Sequence, residues 1–167
     1  MESKQQQHLI AAAQKGSADA YEMLLEGYWP RLYGYFLRAA GNPHDAEDLL
    51  GEMGLRLVRT LPRYNDRGRF EPWLFRIAAN MVRDRIRRRK VRGSTLSLSM
   101  DDNAGGTRAD RLAGADPPVG RALETAEAVA QLNAALMKLD ETTRQMILLR
   151  HYGEMSFREI AEVFECP

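Results

Sequence analysis

A stretch rich in Gly, Ser, Asp and Pro divides this chain of 167 residues into two parts. The stretch spans 93–120 and has no sustained apolar period, which favours a flexible linker. A weak alternation at Leu96 and Leu98 leaves a short strand as the less favoured alternative. On both sides, apolar residues recur every three or four positions, as in amphipathic helices. The sequence therefore predicts an all-α fold with two small helical domains, about 1–92 and 121–167, joined by a tether.

Basic residues are concentrated just before this linker. From Glu71 to Arg92 the chain carries eight basic and two acidic residues, although its formal net charge is only +1. The remainder is therefore mildly acidic, and the basic segment is expected to attract a polyanion such as nucleic acid.

The composition excludes several other classes of protein. Hydrophobic residues make up 44% and charged residues 28%, which is typical of a folded protein rather than a disordered one. The N-terminus lacks the features of a signal peptide, and no apolar run is long enough to span a membrane. Cys166 is the only cysteine, so no internal disulfide and no cysteine-based zinc site is expected; a small buried residue is favoured over a redox sensor. We expect a cytoplasmic protein without a cofactor.

The basic segment has the apolar period of a helix with a polar ridge. Arg76, Asn80, Arg83 and Arg87 recur at i, i+4, i+7 and i+11, opposite two apolar rows. An amide between guanidinium groups is suited to reading base edges while phosphates are held. The alternative is a solvated basic face, which is common on helix exteriors.

The segment preceding this helix interleaves aromatic and basic side chains. Tyr64, Phe70 and Trp73 alternate with arginines over residues 63–73. Aromatic rings beside cations are typical of surfaces that stack unpaired bases. Each ring taken alone is as consistent with a place in the core.

An earlier helix, predicted to start with Asn42 as its cap and Pro43 in its first turn, has an acidic face. Its buried stripe is expected to be Ala46, Leu50, Met53 and Leu57. The opposite face is either solvated or a docking surface for another protein, and it carries Asp45, Asp48, Glu52, Arg56 and Arg59.

No cluster of catalytic or metal-binding type is evident in the sequence. A metal site of His44, Asp45 and Asp48 is disfavoured because no second histidine is near. His8, His44 and His151 are scattered, and there is no phosphate-cradling glycine loop, so enzymatic activity is not expected.

Two segments resemble a known family. DAEDLLGEMGLRLVRTLPRY, followed by RFEPWLFRIAANMVRDRIRRRK, resembles the second conserved region of bacterial sigma factors of the extracytoplasmic-function group. LDETTRQMILLRHYGEMSFREIAEVFECP resembles the fourth region of the same group. The similarity covers nearly all of the chain outside the linker, with both motifs in family order.

This resemblance implies that the helix beginning DAED docks on the beta-prime clamp helices of core RNA polymerase, with the beta flap as a further contact of the enzyme. Relatives commonly carry Gln and Phe where this chain has Gly51 and Gly54, which implies a less rigid helix. The residues implied in polymerase binding are Asp45, Asp48, Glu52, Leu55 and Arg56.

The resemblance further implies that promoter DNA is recognised at the melted minus-ten element, on the non-template strand. The loop and Trp73 would line the site of a flipped base, Asn80 would hydrogen-bond, and the arginines of the helix would hold phosphates. The linker would pass toward the polymerase cleft. The residues implied in DNA binding are Arg67, Arg69, Phe70, Trp73, Arg76, Asn80, Arg83, Arg87 and Arg88.

The C-terminal part is expected to be a helix-turn-helix domain. Its first helix is expected to carry Ala126, Val129, Ala130, Asn133 and Leu136, and its second to place Met146, Ile147 and Leu149 inward. Asp140 is a predicted cap, and Ser156 with Glu159 is a predicted capping box before a third helix. The sequence ends at Pro167, before the recognition helix that would enter the major groove, so we expect this chain not to read the minus-thirty-five element.

Two partners follow from the resemblance, namely core RNA polymerase and an anti-sigma protein that covers both domains. The alternative function is a helix-turn-helix transcriptional regulator that binds duplex DNA without being a polymerase subunit. Such a regulator would need neither the aromatic loop nor the acidic docking helix.

Overall fold

The computed structural model describes residues 3–65, 68–93 and 119–165, with side chains for 4–65, 68–91 and 127–165. Arg67, Cys166 and residues 94–118 of the predicted linker lie outside the described residues. The described elements are helical, as predicted: α1 (Ser3–Gln14), α2 (Ala18–Glu26), α3 (Trp29–Ala40), α4 (Pro43–Thr60), a short 3-10 helix (Leu61–Arg63), α5 (Phe70–Gly93), α6 (Val119–Lys138), α7 (Glu141–Tyr152) and α8 (Phe157–Phe164).

Side-chain caps set where these helices begin. The Asn42 side chain accepts a hydrogen bond from the Asp45 amide at 2.8 Å, and that of Asp140 accepts one from the Thr143 amide at 3.0 Å. Each cap satisfies one of the backbone donors that the first helical turn leaves without a partner. Gly41, at φ 84°, ends α3 in the left-handed conformation that glycine adopts without strain.

The core forms around α3, which packs against α4, α5 and α7. Because neighbours lie on several sides, α3 buries Tyr35 and Ala39 in addition to the predicted Leu32 and Phe36, whereas the predicted Tyr33 and Leu37 are only partly buried. The same correction applies to α4, where Leu49 is fully buried and Leu50 is not.

The C-terminal helices pack directly onto the N-terminal ones, an arrangement that the sequence did not predict. α7 lies along α3, and both α7 and α8 contact α5. Within one continuous core, Leu148 and Leu149 join Phe75 of α5. This packing corrects the predicted inward face of α7, because Ile147 is 45% exposed and Leu148 is buried in its place. Val129 of α6 is likewise exposed.

Glycines allow the two sets of helices to approach closely. A Cβ atom on Gly34 of α3 would lie 2.9 Å from Cε1 of Tyr152, and one on Gly153 would lie 3.0 Å from Cβ of Phe75. Both contacts join residues before the linker to residues after it. Side chains at either glycine would therefore push the two parts of the chain apart.

Candidate nucleic-acid interface

The polar ridge of α5 is positioned by the burial of the opposite side of the same helix. Leu74, Phe75, Ala78 and Met81 are buried against α3 and its neighbours, which turns the ridge outward. Of the predicted ridge residues, Arg76, Asn80 and Arg87 are exposed, whereas Arg83 is partly buried. Arg88, which the resemblance adds to the DNA-binding set, is exposed too. The helix therefore presents an amide among guanidinium groups at its surface.

Arg83 is drawn toward the C-terminal end of α8. Its Nη1 donates a hydrogen bond to the Val163 carbonyl at 2.7 Å, and its guanidinium lies 5.5 Å from the centre of the Phe164 ring. Carbonyls in the last turn of a helix carry partial negative charge, so an arginine is stabilised there. One member of the ridge is thus bound within the protein.

Arg87 and Arg88 remain at the surface despite local contacts. Arg87 pairs with Asp84 at 2.9 Å, and Arg88 donates to the Asp84 carbonyl at 3.3 Å. An exposed ion pair such as that of Arg87 contributes about 0 to 1 kcal/mol, and a hydrogen bond such as that of Arg88 about 0.5 to 1.5 kcal/mol, so both guanidinium groups can exchange these contacts for a phosphate.

The aromatic residues next to the ridge form one cluster. The rings of Tyr64 and Trp73 are 4.4 Å apart, and those of Phe70 and Trp73 are 5.5 Å apart. Phe70 is only 2% exposed and also packs on Tyr28, so its ring belongs to the core rather than to the exposed surface. The buried Phe70 ring packs against both the Tyr64 ring and the Trp73 ring, and so supports them from the side of the core. Tyr64 and Trp73 are the partly exposed members of the predicted base-stacking set.

Arg69, the described arginine of the predicted loop, pairs with Glu159 of α8. The capping box also fixes that carboxylate, because its Oε2 accepts from the Ser156 amide at 2.8 Å. Burial alone would raise the pKa of Glu159, but the hydrogen bonds from Ser156 and the charge and hydrogen bond of Arg69 lower it below its ordinary value. The carboxylate is held ionised against the basic loop.

At the acidic end of α4, Asp45 is partly buried against α5, whereas Asp48 is half-exposed. Arg85 Nη1 lies 2.5 Å from Asp45 Oδ1 and 3.3 Å from Asp48 Oδ2, and Arg89 lies 3.7 Å from Asp45. Burial would raise the pKa of Asp45, but hydrogen bonds from Asn42 and Arg85 and the nearby positive charges lower it. Asp45 is therefore committed to an internal ion pair, which sequence reasoning missed.

The outer face of α4 is the more available part of the predicted docking surface. Leu55 is 65% exposed beside exposed Arg56, while Glu52 is partly buried. A Cβ on Gly51 would meet nothing within 4 Å, and one on Gly54 would make ordinary contact with the Trp29 ring at 3.4 Å. Leu55 and Arg56 are therefore the accessible groups of the predicted docking surface.

The described residues show neither a metal centre nor a membrane span. Among them, no group of three or more His, Cys, Asp or Glu side chains is placed to hold a metal ion. His44 Nε2 lies 4.0 Å from the nearest oxygen of Asp48. Within the described part of the chain, no helix is both long and apolar enough to cross a bilayer.

Comparison with known proteins identifies the family. The sigma-70 region 2 family model matches residues 24–92, and the sigma-70 region 4 model matches residues 130–167. The chain is 29% identical to the ECF RNA polymerase sigma factor SigW of Bacillus subtilis, over 95% of this chain and 84% of that protein. The chain belongs to the extracytoplasmic-function sigma factors.

Other members of this sigma factor group are similar over most of the chain. RNA polymerase sigma-H factor of Pseudomonas aeruginosa is 26% identical over 98% of this chain and 84% of that protein. ECF RNA polymerase sigma factor SigE of Mycolicibacterium smegmatis is 30% identical over 90% of this chain and 55% of that protein. These matches make this sigma factor a protein of promoter-specific transcription initiation and do not favour a regulator that acts outside polymerase. Sigma factors are generally not enzymes.

A solved structure shares the fold of this sigma factor. The structure of CnrH in complex with the cytosolic domain of CnrY matches with a TM-score of 0.61 over 99% of this chain and 85% of that one. Its sequence is 22% identical, so the likeness supports the all-α fold alone.

Proposed function

We propose that this sigma factor holds the melted minus-ten element, as the non-template strand, on the exposed ridge of α5. The observation that carries the proposal is that Asn80 lies among exposed arginines on the same helix as Trp73. Guanidinium groups bind phosphates, the amide hydrogen-bonds base edges, and the indole ring stacks on an unpaired base. Arg67 and Arg69 would add contacts from the preceding loop.

The energetics require a partner that opens the duplex. Separating about a dozen base pairs costs on the order of 15 kcal/mol, at about 1.4 kcal/mol for each step. A base stacked on an aromatic ring returns about 1 to 3 kcal/mol, so Trp73 and its neighbours cannot melt DNA alone. Strand binding is therefore expected only after polymerase has separated the strands.

The polymerase contact is proposed for the outer face of α4. Leu55 supplies an exposed apolar group, and Arg56 with the half-exposed Asp48 supplies charges beside it. We assign the beta-prime clamp helices to this face and the beta flap to the C-terminal helices. Asp45 then supports the surface through Arg85 rather than binding polymerase itself.

The domain boundaries and the remaining partner are proposals too. Residues 1–92 would act as the docking and minus-ten part, 121–167 as the helix-turn-helix part, and 93–120 as the linker. CnrH, which shares this fold, was solved with the cytosolic domain of CnrY, and we propose an anti-sigma partner of that kind here. Because promoters and polymerase are cytoplasmic, the protein is expected there.

The test separates strand binding from polymerase binding. Asn80→Ala and Trp73→Ala are expected to reduce transcription from a duplex promoter at least tenfold while core polymerase is still retained in a pull-down. Leu55→Arg and Asp48→Arg are expected to reduce the retention of core polymerase in the pull-down, and to reduce transcription as a consequence. Lys15→Ala, an exposed lysine just after α1, is the control. A holoenzyme that transcribes a pre-melted template no better than a fully paired one would contradict the proposal.

A further inference from the structure

We propose that α1 positions the aromatic rings beside the ridge for strand binding, with Gln14 and Gln6 as the positioning residues. This inference rests on the proposed function, because it takes Tyr64 and Trp73 as rings that stack on unpaired bases. The two glutamines lie on α1 about two helical turns apart. Gln14 contacts one side of the segment that joins the 3-10 helix to α5, and Gln6 contacts the other side through Tyr28.

Gln14 holds the backbone at the start of this segment. Its Nε2 donates hydrogen bonds to the Leu61 carbonyl at 3.0 Å and to the Tyr64 carbonyl at 2.5 Å. Leu61 is the first residue of the 3-10 helix, and Tyr64 is the residue that follows that helix. A side-chain amide nitrogen carries two donor hydrogens, so one glutamine satisfies both carbonyls. The position of the Tyr64 backbone therefore depends on a residue 50 positions earlier in the chain.

The Tyr64 backbone in turn determines where the Tyr64 ring lies. That ring packs 4.4 Å from the Trp73 ring and 5.5 Å from the buried Phe70 ring, measured between ring centres. Trp73 and Phe70 lie near the start of α5, so the stacked rings join the two sides of the segment. Rings that are already held in place lose less conformational entropy when a base stacks on them.

Gln6 reaches the start of α5 through Tyr28. Its Nε2 donates a hydrogen bond to the Tyr28 hydroxyl, which donates one to Glu71 Oε1 at 3.1 Å. Glu71 lies in the first turn of α5, and the Tyr28 ring lies 5.5 Å from the Phe70 ring. Burial, together with the nearby Glu71 carboxylate, raises the pKa of Tyr28 above its ordinary value. The hydroxyl therefore stays protonated at neutral pH and remains a donor to Glu71.

The experiment measures how tightly polymerase holoenzyme containing the full chain binds a fluorescent pre-melted template. Gln14→Ala and Gln14→Glu are expected to weaken this binding about three- to tenfold, in keeping with the loss of a hydrogen bond, while core polymerase is retained as before. Gln14→Glu keeps the size of the side chain but replaces the donor amide with a carboxylate, which only accepts. Gln7→Ala, at an exposed glutamine of the same helix, is the matched control and should leave binding unchanged.

Double variants separate positioning from a general loss of stability. If Gln14 acts through the Tyr64 ring, Gln14→Ala should weaken binding little further once Tyr64→Ala is present, because residues that act together are not additive. Combined with Asn80→Ala, which removes a separate contact with the strand, Gln14→Ala should weaken binding by its full factor. A merely destabilising change would act equally in both backgrounds.

Tyr28→Phe tests the other side of the segment. It keeps the ring against Phe70 and removes the hydroxyl that joins Gln6 to Glu71. We expect a smaller loss of template binding than with Gln14→Ala, because Arg31 also pairs with Glu71 at 3.1 Å. Unchanged binding with Tyr28→Phe would overturn the role assigned to Gln6.

Folded Gln14→Ala and Gln14→Glu chains that bind the template as tightly as the unaltered chain would overturn the inference. So would an equal effect of Gln14→Ala with and without Tyr64→Ala, since the effect would then not pass through that ring. Circular dichroism and retention of core polymerase show whether each variant is folded. Failure of the proposed function is distinguishable, because Trp73→Ala and Asn80→Ala would then bind the template as tightly as the unaltered chain.

Discussion

At the scale of single residues, neighbours decide what each arginine of α5 can do. Arg76 is exposed, Arg83 is bonded to a carbonyl of α8, and Arg85 is paired with two carboxylates of α4. All three have the same charge and lie within three helical turns. The function of a guanidinium here follows from the face of the helix on which it lies and from what packs against that face.

The aromatic cluster gives a prediction about stability. Phe70→Ala removes a buried ring and is expected to lower the free energy of unfolding by about 3 to 5 kcal/mol, because a large cavity is left beneath Tyr64 and Trp73. Arg76→Ala, on the exposed ridge, is expected to change it by less than about 0.5 kcal/mol. Urea denaturation measures both. Equal stability of the two variants would contradict the placement of Phe70 in the core.

At the scale of secondary-structure elements, Glu159 in the first turn of α8 both stabilises that helix and binds Arg69 in the loop before α5. Its capping box uses both the side chain and the backbone of Ser156, and the Glu159 carboxylate of that box also pairs with Arg69. Losing the ionised carboxylate would therefore weaken the helix and its contact with the loop together. The depressed pKa of Glu159 is the signature of this double use.

A pH dependence follows from that depressed pKa. The stabilisation is fully present above the unfolded value, near 4.5, and is lost as the pH falls through the lower folded value. We expect amide exchange in α8 to accelerate as the pH is lowered below about 4.5, once corrected for its intrinsic pH dependence. Glu159→Gln should show faster exchange at neutral pH and little further change in acid. Exchange in α8 of the unaltered chain that stays constant to pH 3 would count against the ion pair.

At the scale of the whole molecule, a chain with little net charge carries a concentrated basic surface. Basic residues of α5 and of the loop before it pair with carboxylates of other helices: Arg85 with Asp45 of α4, Lys90 with Glu141 of α7, and Arg69 with Glu159 of α8. Ionic strength should weaken both these internal ion pairs and the proposed binding of a nucleic-acid strand, because both depend on partly exposed charges.

The salt dependence of strand binding tests this arrangement in the polymerase holoenzyme on a pre-melted template. The Arg76→Ala/Arg87→Ala double variant should reduce the magnitude of the log-log salt slope by about 1.4, because each phosphate contact to a single strand contributes about 0.7. Asn80→Ala should weaken binding with an unchanged slope, since the amide is uncharged. A double variant with the original slope would show that these arginines do not hold phosphates.

The sequence by itself determined the helical class, the caps at Asn42, Asp140 and Ser156, and the ridge of α5, because these depend on residues within one or two turns of each other. It did not determine which faces become buried. Tyr35, Leu49 and Leu148 are buried because helices from distant parts of the chain lie against them.

The tertiary structure alone decided the positions of Asp45, Phe70 and the C-terminal helices. Asp45 and Arg85 are 40 residues apart, and Arg31 and Tyr152 are 121 apart, so no local pattern pairs them. Packing brings such groups together, and only packing shows that Arg69 and Arg83, two of the cations predicted for DNA, already have partners on α8.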